Sequence, residues 1–456
     1  LNGYLLWWMS IFYKGEIKMN LLKDNVFKLY LKYFIPTIGA ALSSAIYILF
    51  DTIFIGQGVG GDGLAALNIA IPIFGFYSGT GLLIGIGGST LLSIERGRGH
   101  EKRSNKIFTL SIIMGSVISI LYMILGLLFI DKVAYFLGAT EYILPLVKEY
   151  LFIIMIGTVS FVMVNVLSPF IRADKAPKTA MAAVIIGGFT NIALDYIFVF
   201  PLNMGMKGAA IATVISSTLS LLVLSIHFIG KSNTLRFEDN FFRISTAIRI
   251  IKCGLPSFFS EISTGLVIFI FNLQIMRLLG EDGVTAYSII SNTAIIIIAV
   301  FNGICQTIQP LISVNIGAGE KERVECFKKI AIVTAIILGI LSYIICIVFP
   351  EEIVRIFVKP TDKVLSIAVN SINIYAVAFV VTGVNMVLGA FFQSVEEAKY
   401  SFIIAICRGL LLVSVAVIIL PIFMGINGVW VSVPVAEAIT FIIGIMLTLK
   451  MRTRKI

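Results

Sequence analysis

Two acidic residues interrupt long apolar stretches in the first half of this sequence. Asp51 lies in SAIYILFDTIFIGQG, and Asp195 lies in GGFTNIALDYIFVF. An ionisable side chain inside an apolar span costs roughly 2.5–3.5 kcal/mol even on modest scales, so each needs a reason to be there. Asn191 precedes Asp195 by one helical turn, which places both side chains on one helix face. Thr213 adds a hydroxyl in the next apolar stretch.

Carboxylate, amide and hydroxyl oxygens together suit one of two ligands. They coordinate small hard cations. Two crowded carboxylates also form a proton site, because like charges held together cannot both stay ionised. We therefore expect Asp51, Asn191, Asp195 and Thr213 to form a coupling-ion site for Na⁺ or H⁺. The alternative is structural, with the two acids capping local helix breaks or bonding to neighbouring helices.

The chain repeats itself at a constant interval, the one that separates Pro36 from Pro256. This repeat interval joins other identical residues from the first apolar stretch of each half to the last, including Ser43/Ser263, Gly60/Gly280, Asp62/Asp282, Gly97/Gly317, Arg103/Arg323, Pro201/Pro421 and Gly208/Gly428. Chance does not keep register over such a length, so the sequence indicates two homologous halves. Each half is predicted to contain six membrane spans. Because an even number of spans returns the chain to the side on which it started, both halves have the same orientation. This predicts a pseudo-two-fold axis along the membrane normal.

The candidate ion ligands have no counterparts in the second half. The residues one repeat interval beyond Asp51, Asn191, Asp195 and Thr213 are Phe271, Leu411, Val415 and Val433. Residues shared by both halves are explained by the fold, so the residues that break the symmetry are the better functional candidates.

The second half carries its own intramembrane charges, Glu261, Arg408 and Glu437. An unpaired arginine in hydrocarbon is costly, so we expect Arg408 to form a structural ion pair with Glu437 or with Glu261. In a second interpretation Glu261, which closely follows Pro256, faces a cavity and attracts cationic cargo. Gln306 is a further candidate for lining that cavity.

The elements that hold these residues must be membrane-spanning helices. The 456 residues are 58% hydrophobic and 13% charged, with a mean hydropathy of +1.01, whereas a soluble domain carries roughly 25% charged residues. The apolar stretches are long and do not alternate with polar residues, which favours helices over a barrel. Twelve spans are predicted, at 31–56, 64–94, 104–130, 141–171, 178–200, 207–230, 247–279, 284–313, 324–349, 361–393, 398–420 and 427–449.

The fold class is therefore all-α and integral to the membrane, with two six-helix bundles at 19–230 and 247–456 joined by a cytoplasmic linker at 231–246. Lysine and arginine concentrate in the connections on one side, which predicts that both termini are cytoplasmic. Residues 1–18 precede a basic amphipathic start at Met19, and we interpret them as a non-native or upstream extension.

Several other classes of protein are disfavoured. The five cysteines show no CxxC spacing, and the two histidines form no HExxH pattern, so neither a metal cofactor nor zinc chemistry is expected. The GKS at 230–232 lacks the earlier glycine of a phosphate-binding loop. The basic residues that give the net charge of +10 flank the apolar spans, so this charge does not indicate nucleic-acid binding. We therefore expect the protein to draw its energy from an ion gradient, to bind no nucleotide and to have no enzymatic activity.

Residues 28–450 resemble the multidrug and toxic compound extrusion (MATE) family of transporters. The resemblance rests on Pro36 and Asp51 in the first span, on NIALD at 191–195 and on Thr213. It extends to GLPSFFSEIS at 254–263 and NGICQTIQPLISVNIGAG at 302–319. It implies a secondary antiporter that exports organic, often cationic, compounds in exchange for Na⁺ or H⁺. One departure is that Glu261 lies nearer the seventh-span proline than the acid of sodium-coupled members does.

Three alternatives stay open at this point. A lipid-linked oligosaccharide flippase of the same superfamily would carry a strongly basic cavity, whereas basic residues here avoid the membrane core except for Arg408. A membrane-embedded enzyme or a passive channel fits less well, because no catalytic motif occurs and the acidic site is confined to one half. We expect a monomeric multi-pass protein of the cell membrane, specifically a bacterial inner membrane, with small organic cargo and lipid as partners.

Overall fold

The computed structural model describes residues 19–230, 232–358 and 360–454, with side chains described as far as Met451. The predicted extension at 1–18 lies outside the described residues. Every regular element in the described part of the chain is helical. This confirms the predicted all-α class.

The described part of the first half forms eight helices. Their bounds are α1 Val26–Gly58, α2 Gly61–Gly97, α3 Glu101–Leu128, α4 Ile130–Phe136, α5 Leu144–Ile156, α6 Thr158–Ala173, α7 Pro177–Val199 and α8 Gly205–Ile226, followed by a short 3₁₀ turn at His227–Ile229.

The second half, where the structure describes it, forms eight more. They are α9 Ile244–Gly317, α10 Lys321–Val348, α11 Pro350–Phe357, α12 Asp362–Tyr375, α13 Phe379–Ser394, α14 Ala398–Ile406, α15 Leu412–Met424 and α16 Ile426–Arg454. A 3₁₀ turn at Ala376–Ala378 joins α12 to α13, and a π-helical turn at Cys407–Leu411 joins α14 to α15.

Twelve membrane spans follow from these helices, as predicted. Ten helical stretches in the described residues are long and apolar enough to cross a membrane, and α5 with α6 adds an eleventh as a pair bent by 50°. The twelfth arises because α9, at 74 residues, contains a break at Gly280, where φ is 67° and ψ is −153°. Only glycine adopts such a conformation readily, so this residue separates the seventh span from the eighth.

The backbone itself repeats at the interval seen in the sequence. Gly60, which separates α1 from α2, has φ of 87°, and its counterpart Gly280 separates the corresponding spans. The short helices α4 and α11 begin at Ile130 and Pro350, which are also one repeat interval apart. Positive φ angles recur in the same way at Gly99 and Gly319 and at Gly205 and Gly425. Elements absent from the sequence prediction thus follow the same repeat.

The described chain divides into two compact units. The first comprises residues up to Gly254 together with Pro310–Phe327, and the second comprises Leu255–Gln309 and residues from Lys328 onward. In the first unit α7 packs against α1 and α8, and in the second α16 packs against α13 and α15. The division into bundles at 19–230 and 247–456, and their pseudo-two-fold relation, stay predictions that rest on the sequence repeat.

A buried polar cluster ties the predicted linker to the first unit. Asp174, which follows α6 and is 2% exposed, accepts from Arg96 Nη1 at 2.7 Å and from the Thr234 backbone N–H at 2.9 Å. His227 Nε2 lies 2.7 Å from its carboxylate, and the Thr234 hydroxyl also donates to it. The backbone N–H of Glu238 then donates to Thr109 at 3.0 Å. These bonds hold the extended segment after the 3₁₀ turn against the ends of α2, α3 and α6.

The electrostatics of Asp174 follow from this cluster. Burial by itself raises the pKa of Asp174, but His227, Arg96 and Thr234 outweigh burial and hold the pKa below its usual value. A carboxyl whose pKa is lower in the folded state stabilises the fold above its unfolded pKa. That contribution is therefore present at neutral pH and is lost only in acid, as Asp174 takes up a proton.

Replacing Asp174 should destabilise the protein far more than replacing a surface acid. Asp174→Asn leaves the Arg96 guanidinium without its counter-charge, and breaking a buried pair costs about 3–5 kcal/mol. The control is Asp131→Asn, whose partner Lys148 and own side chain are both more than a third exposed, at 40% and 58%. Such an exposed pair contributes about 0–1 kcal/mol. Thermal unfolding of the purified variants in one detergent provides the measurement, and equal melting temperatures for the two variants would contradict the assignment.

Candidate functional site

The four candidate ion ligands are placed by three helices of the first unit. Asp51 lies on α1, Asn191 and Asp195 lie on α7, and Thr213 lies on α8. Because α7 packs against both α1 and α8, one face of α7 can meet both partner residues. Asp195 is completely buried and Asn191 is 2% exposed.

Two adjacent glycines let α7 approach both neighbouring helices. A Cβ on Gly188 would come within 3.3 Å of Tyr47 and 3.4 Å of Ser43, both on α1. A Cβ on Gly187 would overlap the hydroxyl of Ser220 on α8. Small residues at such positions allow helices in membranes to pack closely. The GG pair thus brings the helices together one turn before Asn191 and two turns before Asp195.

The structure brings the four side chains together. The carboxyl groups of Asp51 and Asp195 lie within hydrogen-bonding reach of each other. Asn191 Nδ2 donates to Thr213 Oγ1 at 3.4 Å, and the Thr213 hydroxyl donates to the Ala209 carbonyl at 2.9 Å. Since the hydroxyl proton of Thr213 is already engaged, its oxygen is left as an acceptor.

Several buried oxygens in this cluster have no hydrogen-bond donor among the described residues. They are Oδ1 of Asp51, Oδ1 of Asn191 and both carboxylate oxygens of Asp195. A buried acceptor without a donor is costly, and a buried carboxylate more so. A cation bound among these oxygens, or a proton shared between the two carboxyl groups, would remove that cost. The donor set, made only of oxygens, fits a hard monovalent or divalent cation.

Two tyrosines complete the site and were missed by sequence reasoning. Tyr150 on α5 is 1% exposed and lies close to Asp51, Asp195 and Thr213. Tyr47 lies beside Asp51, one helical turn earlier on α1. The i, i+4 spacing of Tyr47 and Asp51 was a usable signal. Tyr150 had none, because nothing in the sequence shows which face of α5 meets α8.

The second unit has an apolar core where the first has its acidic site. Phe271, the counterpart of Asp51, is 1% exposed and stacks on Tyr287 with ring centroids 5.1 Å apart. Trp430 is fully buried beside Tyr287, with centroids 6.5 Å apart. The asymmetry seen in the sequence thus corresponds to different packing in the two units.

Arg408 pairs with Glu437 in the interior of the second unit. Arg408 Nε donates to Glu437 Oε1 at 3.0 Å, and the side chain of Glu437 is only 4% exposed. Asn385 Nδ2, on α13, donates to Glu437 Oε2 at 2.6 Å and to the Glu437 backbone carbonyl at 2.8 Å. Of the two acids considered for Arg408, the structure therefore places Glu437 against it. The contribution of Asn385 was not foreseen.

The two cavity candidates are not brought into this cluster. Glu261 and Gln306 both lie on α9 and are partly exposed. Within the part of the chain that the structure describes, neither makes a hydrogen bond, and Glu261 makes no ion pair. The same residues contain no group of three or more His, Cys, Asp or Glu side chains placed to hold a metal ion.

Comparison with known families identifies the class of this fold and site. The MatE family model matches residues 36–197 and again residues 256–418. The starts of the two matches are one repeat interval apart, so the family model itself recognises both halves of the repeat. The matches cover more than half of the sequence, and the chain belongs to the MatE family. It is accordingly a multi-pass membrane transporter and not an enzyme, and the resemblance noted from the sequence is confirmed.

Curated relatives and solved structures match almost the whole chain. The chain is 24% identical over 434 residues to the multidrug export protein MepA of Staphylococcus saprophyticus and 25% identical over 434 residues to MepA of Staphylococcus haemolyticus, covering 95% of each protein. A multidrug resistance MATE family transporter solved in an outward-facing conformation superposes with a TM-score of 0.89 at 24% identity, covering 95% of this chain and 97% of that one. At this identity the structural match shows the fold.

The pair formed by Arg408 and Glu437 predicts an asymmetry between single and double substitution. Glu437→Gln leaves a guanidinium in the interior without its counter-charge, which should cost about 3–5 kcal/mol. Replacing both residues with apolar ones of similar size, as Arg408→Met with Glu437→Leu, should restore much of that loss, because no buried charge then remains. Thermal unfolding in detergent measures both. A double variant as unstable as Glu437→Gln would mean that the charge pair is not the source of the effect.

Proposed function

We propose that this protein exports organic compounds, many of them cationic, from the cell in exchange for Na⁺ or H⁺ entering at the Asp51–Asp195 site. The observation that carries the proposal is the pair of facing carboxyl groups, whose buried oxygens have no donor among the described residues. The curated relatives are named as multidrug export proteins, which supports the same direction of transport. Both termini would face the cytoplasm, as the distribution of basic residues indicates.

The coupling step follows from the electrostatics of the site. Two carboxylates in an apolar bundle repel each other and lose their hydration, so both cannot stay charged without a counter-ion. A cation that enters from outside and binds between them removes this repulsion. The helices around the site then repack, and α1 can bend at Pro36, where the proline lacks a backbone N–H. Release of the ion inside would restore the repulsion and return the site to its starting state.

The neutral oxygens favour Na⁺ over H⁺ as the coupling ion. Asn191 Oδ1 is buried without a donor, and an amide oxygen does not bind a proton near neutral pH. Thr213 Oγ1 and the Tyr150 hydroxyl add further oxygens beside the carboxyl groups. A proton would need only the two acids, whereas a sodium ion uses the whole set. Glu261 and Gln306 are the residues we propose to meet cationic cargo in the second unit.

Asp51→Asn should abolish export that is driven by an ion gradient while leaving the protein folded. The amide cannot hold a proton or neutralise a bound cation, so the site no longer changes charge. Asp195→Asn should have the same effect. Efflux of a fluorescent organic cation from proteoliposomes, under a Na⁺ gradient and separately under an H⁺ gradient, gives the readout. Wild-type efflux under the H⁺ gradient alone would assign the proton as the coupling ion.

The matched control is Asp62→Asn, an acid at the start of α2 whose side chain receives a bond from exposed Tyr142 at 2.9 Å. It should retain wild-type efflux. Thr213→Ala removes one neutral ligand and should weaken coupling by roughly tenfold without abolishing it. Full gradient-driven export by Asp51→Asn, with surface expression equal to wild type, would refute the assignment.

A further inference from the structure

The guanidinium of Arg408 is only partly used by the ion pair that holds it. Glu437 accepts a hydrogen bond from Nε of Arg408 at one carboxylate oxygen and a hydrogen bond from Nδ2 of Asn385 at the other. Both carboxylate oxygens are therefore engaged. The two terminal nitrogens of Arg408 have no hydrogen-bond partner among the described residues. The side chain of Arg408 is 19% exposed, against 4% for Glu437, and its terminal nitrogens are not among the buried unpartnered atoms. They are therefore accessible donors inside the second unit.

The backbone around Arg408 is also unusual. Residues Cys407–Leu411 form a π-helical turn between α14 and α15. Turns of this kind are rare, and a large share of those known lie at functional sites. The counterpart stretch in the first half, 187–191, lies within the regular helix α7. A Cβ on Gly409 would lie 3.3 Å from Cβ of Ser263, so packing against α9 fixes this turn in place.

An arginine placed in this way can receive a planar anion. The free end of the guanidinium presents parallel N–H groups that match the two oxygens of a carboxylate. Tyr375 and Cys305 lie close to Arg408 and supply polar neighbours. Glu437 already neutralises part of the positive charge, so a singly charged carboxylate is a better match than a doubly charged phosphate. An arginine that served only the pair with Glu437 would be expected to bury all its N–H groups against partners.

We propose that Arg408, held by Glu437 and Asn385, binds the carboxylate of zwitterionic cargo in the interior of the second unit. This inference rests on the proposed export of organic compounds and assigns a specificity-determining residue to it. Arg408 then determines specificity as well as stabilising the fold.

Two dyes that differ only at the carboxylate provide the test. Rhodamine 110 carries a free carboxylate, and rhodamine 123 is its methyl ester. Binding of each dye to purified protein in detergent is measured by fluorescence anisotropy, for wild type and for Arg408→Lys. Lysine keeps the positive charge beside Glu437 but cannot present the two parallel N–H groups of a guanidinium. The affinity for rhodamine 110 divided by the affinity for rhodamine 123 should be roughly tenfold lower in the variant than in wild type.

A competition experiment on wild type makes the test independent of how the variant folds. Benzoate should displace rhodamine 110 and leave rhodamine 123 bound. Equal displacement of both dyes, or of neither, would overturn the inference, as would an unchanged ratio of affinities in Arg408→Lys. Wild-type binding of the ester without the acid would overturn it while leaving the proposed export intact. Binding of neither dye would also overturn this inference, whereas the proposed export is decided separately by efflux under a Na⁺ or an H⁺ gradient.

Discussion

The central constraint in this molecule is a pair of carboxyl groups that face each other inside an apolar bundle. Asp51 and Asp195 lie within hydrogen-bonding reach, and no donor among the described residues satisfies the oxygens of Asp195. Such an arrangement is unfavourable unless a cation or proton is present. A fold under selection for stability alone would replace it with packed apolar residues. The second unit shows this alternative, with Phe271 and Tyr287 stacked at the equivalent depth of the repeat.

The rest of the first unit serves to hold that pair in place. Gly187 and Gly188 permit α7 to approach α8 and α1 closely, and this approach brings Asp195 to Asp51. Asn191 and Thr213 bond to each other on the same side. At the end of the bundle, Asp174 with Arg96, His227 and Thr234 fixes the extended segment that follows the 3₁₀ turn. Rigid packing of this kind lets a change of charge at one site favour a second arrangement of helices over the first.

Much of the architecture could be predicted because its signals are periodic and long. The apolar stretches, the repeat interval and the asymmetry at Asp51 and Asp195 can all be read from one sequence, because hydrocarbon leaves few solutions for a polar backbone. Contacts between side chains from distant helices could not be read in this way. Tyr150 reaches the acidic site only because α5 packs on α8, and Asn385 reaches Glu437 from a different helix. The π-helical turn at Cys407–Leu411 also has no simple sequence signal, since a glycine such as Gly409 occurs within regular membrane helices as well, as Gly187 and Gly188 do in α7.

Release of the coupling ion on cargo binding tests the central claim most directly. Purified wild-type protein is loaded with Na⁺, or equilibrated at fixed pH in weak buffer, and an organic cation is added while released Na⁺ and H⁺ are recorded with selective electrodes. We expect wild type to release one of these ions as the cargo binds. The double variant Asp51→Asn with Asp195→Asn should bind cargo and release neither. Cargo binding to wild type with no release of Na⁺ or H⁺ would contradict the claim that the Asp51–Asp195 pair couples ion to cargo.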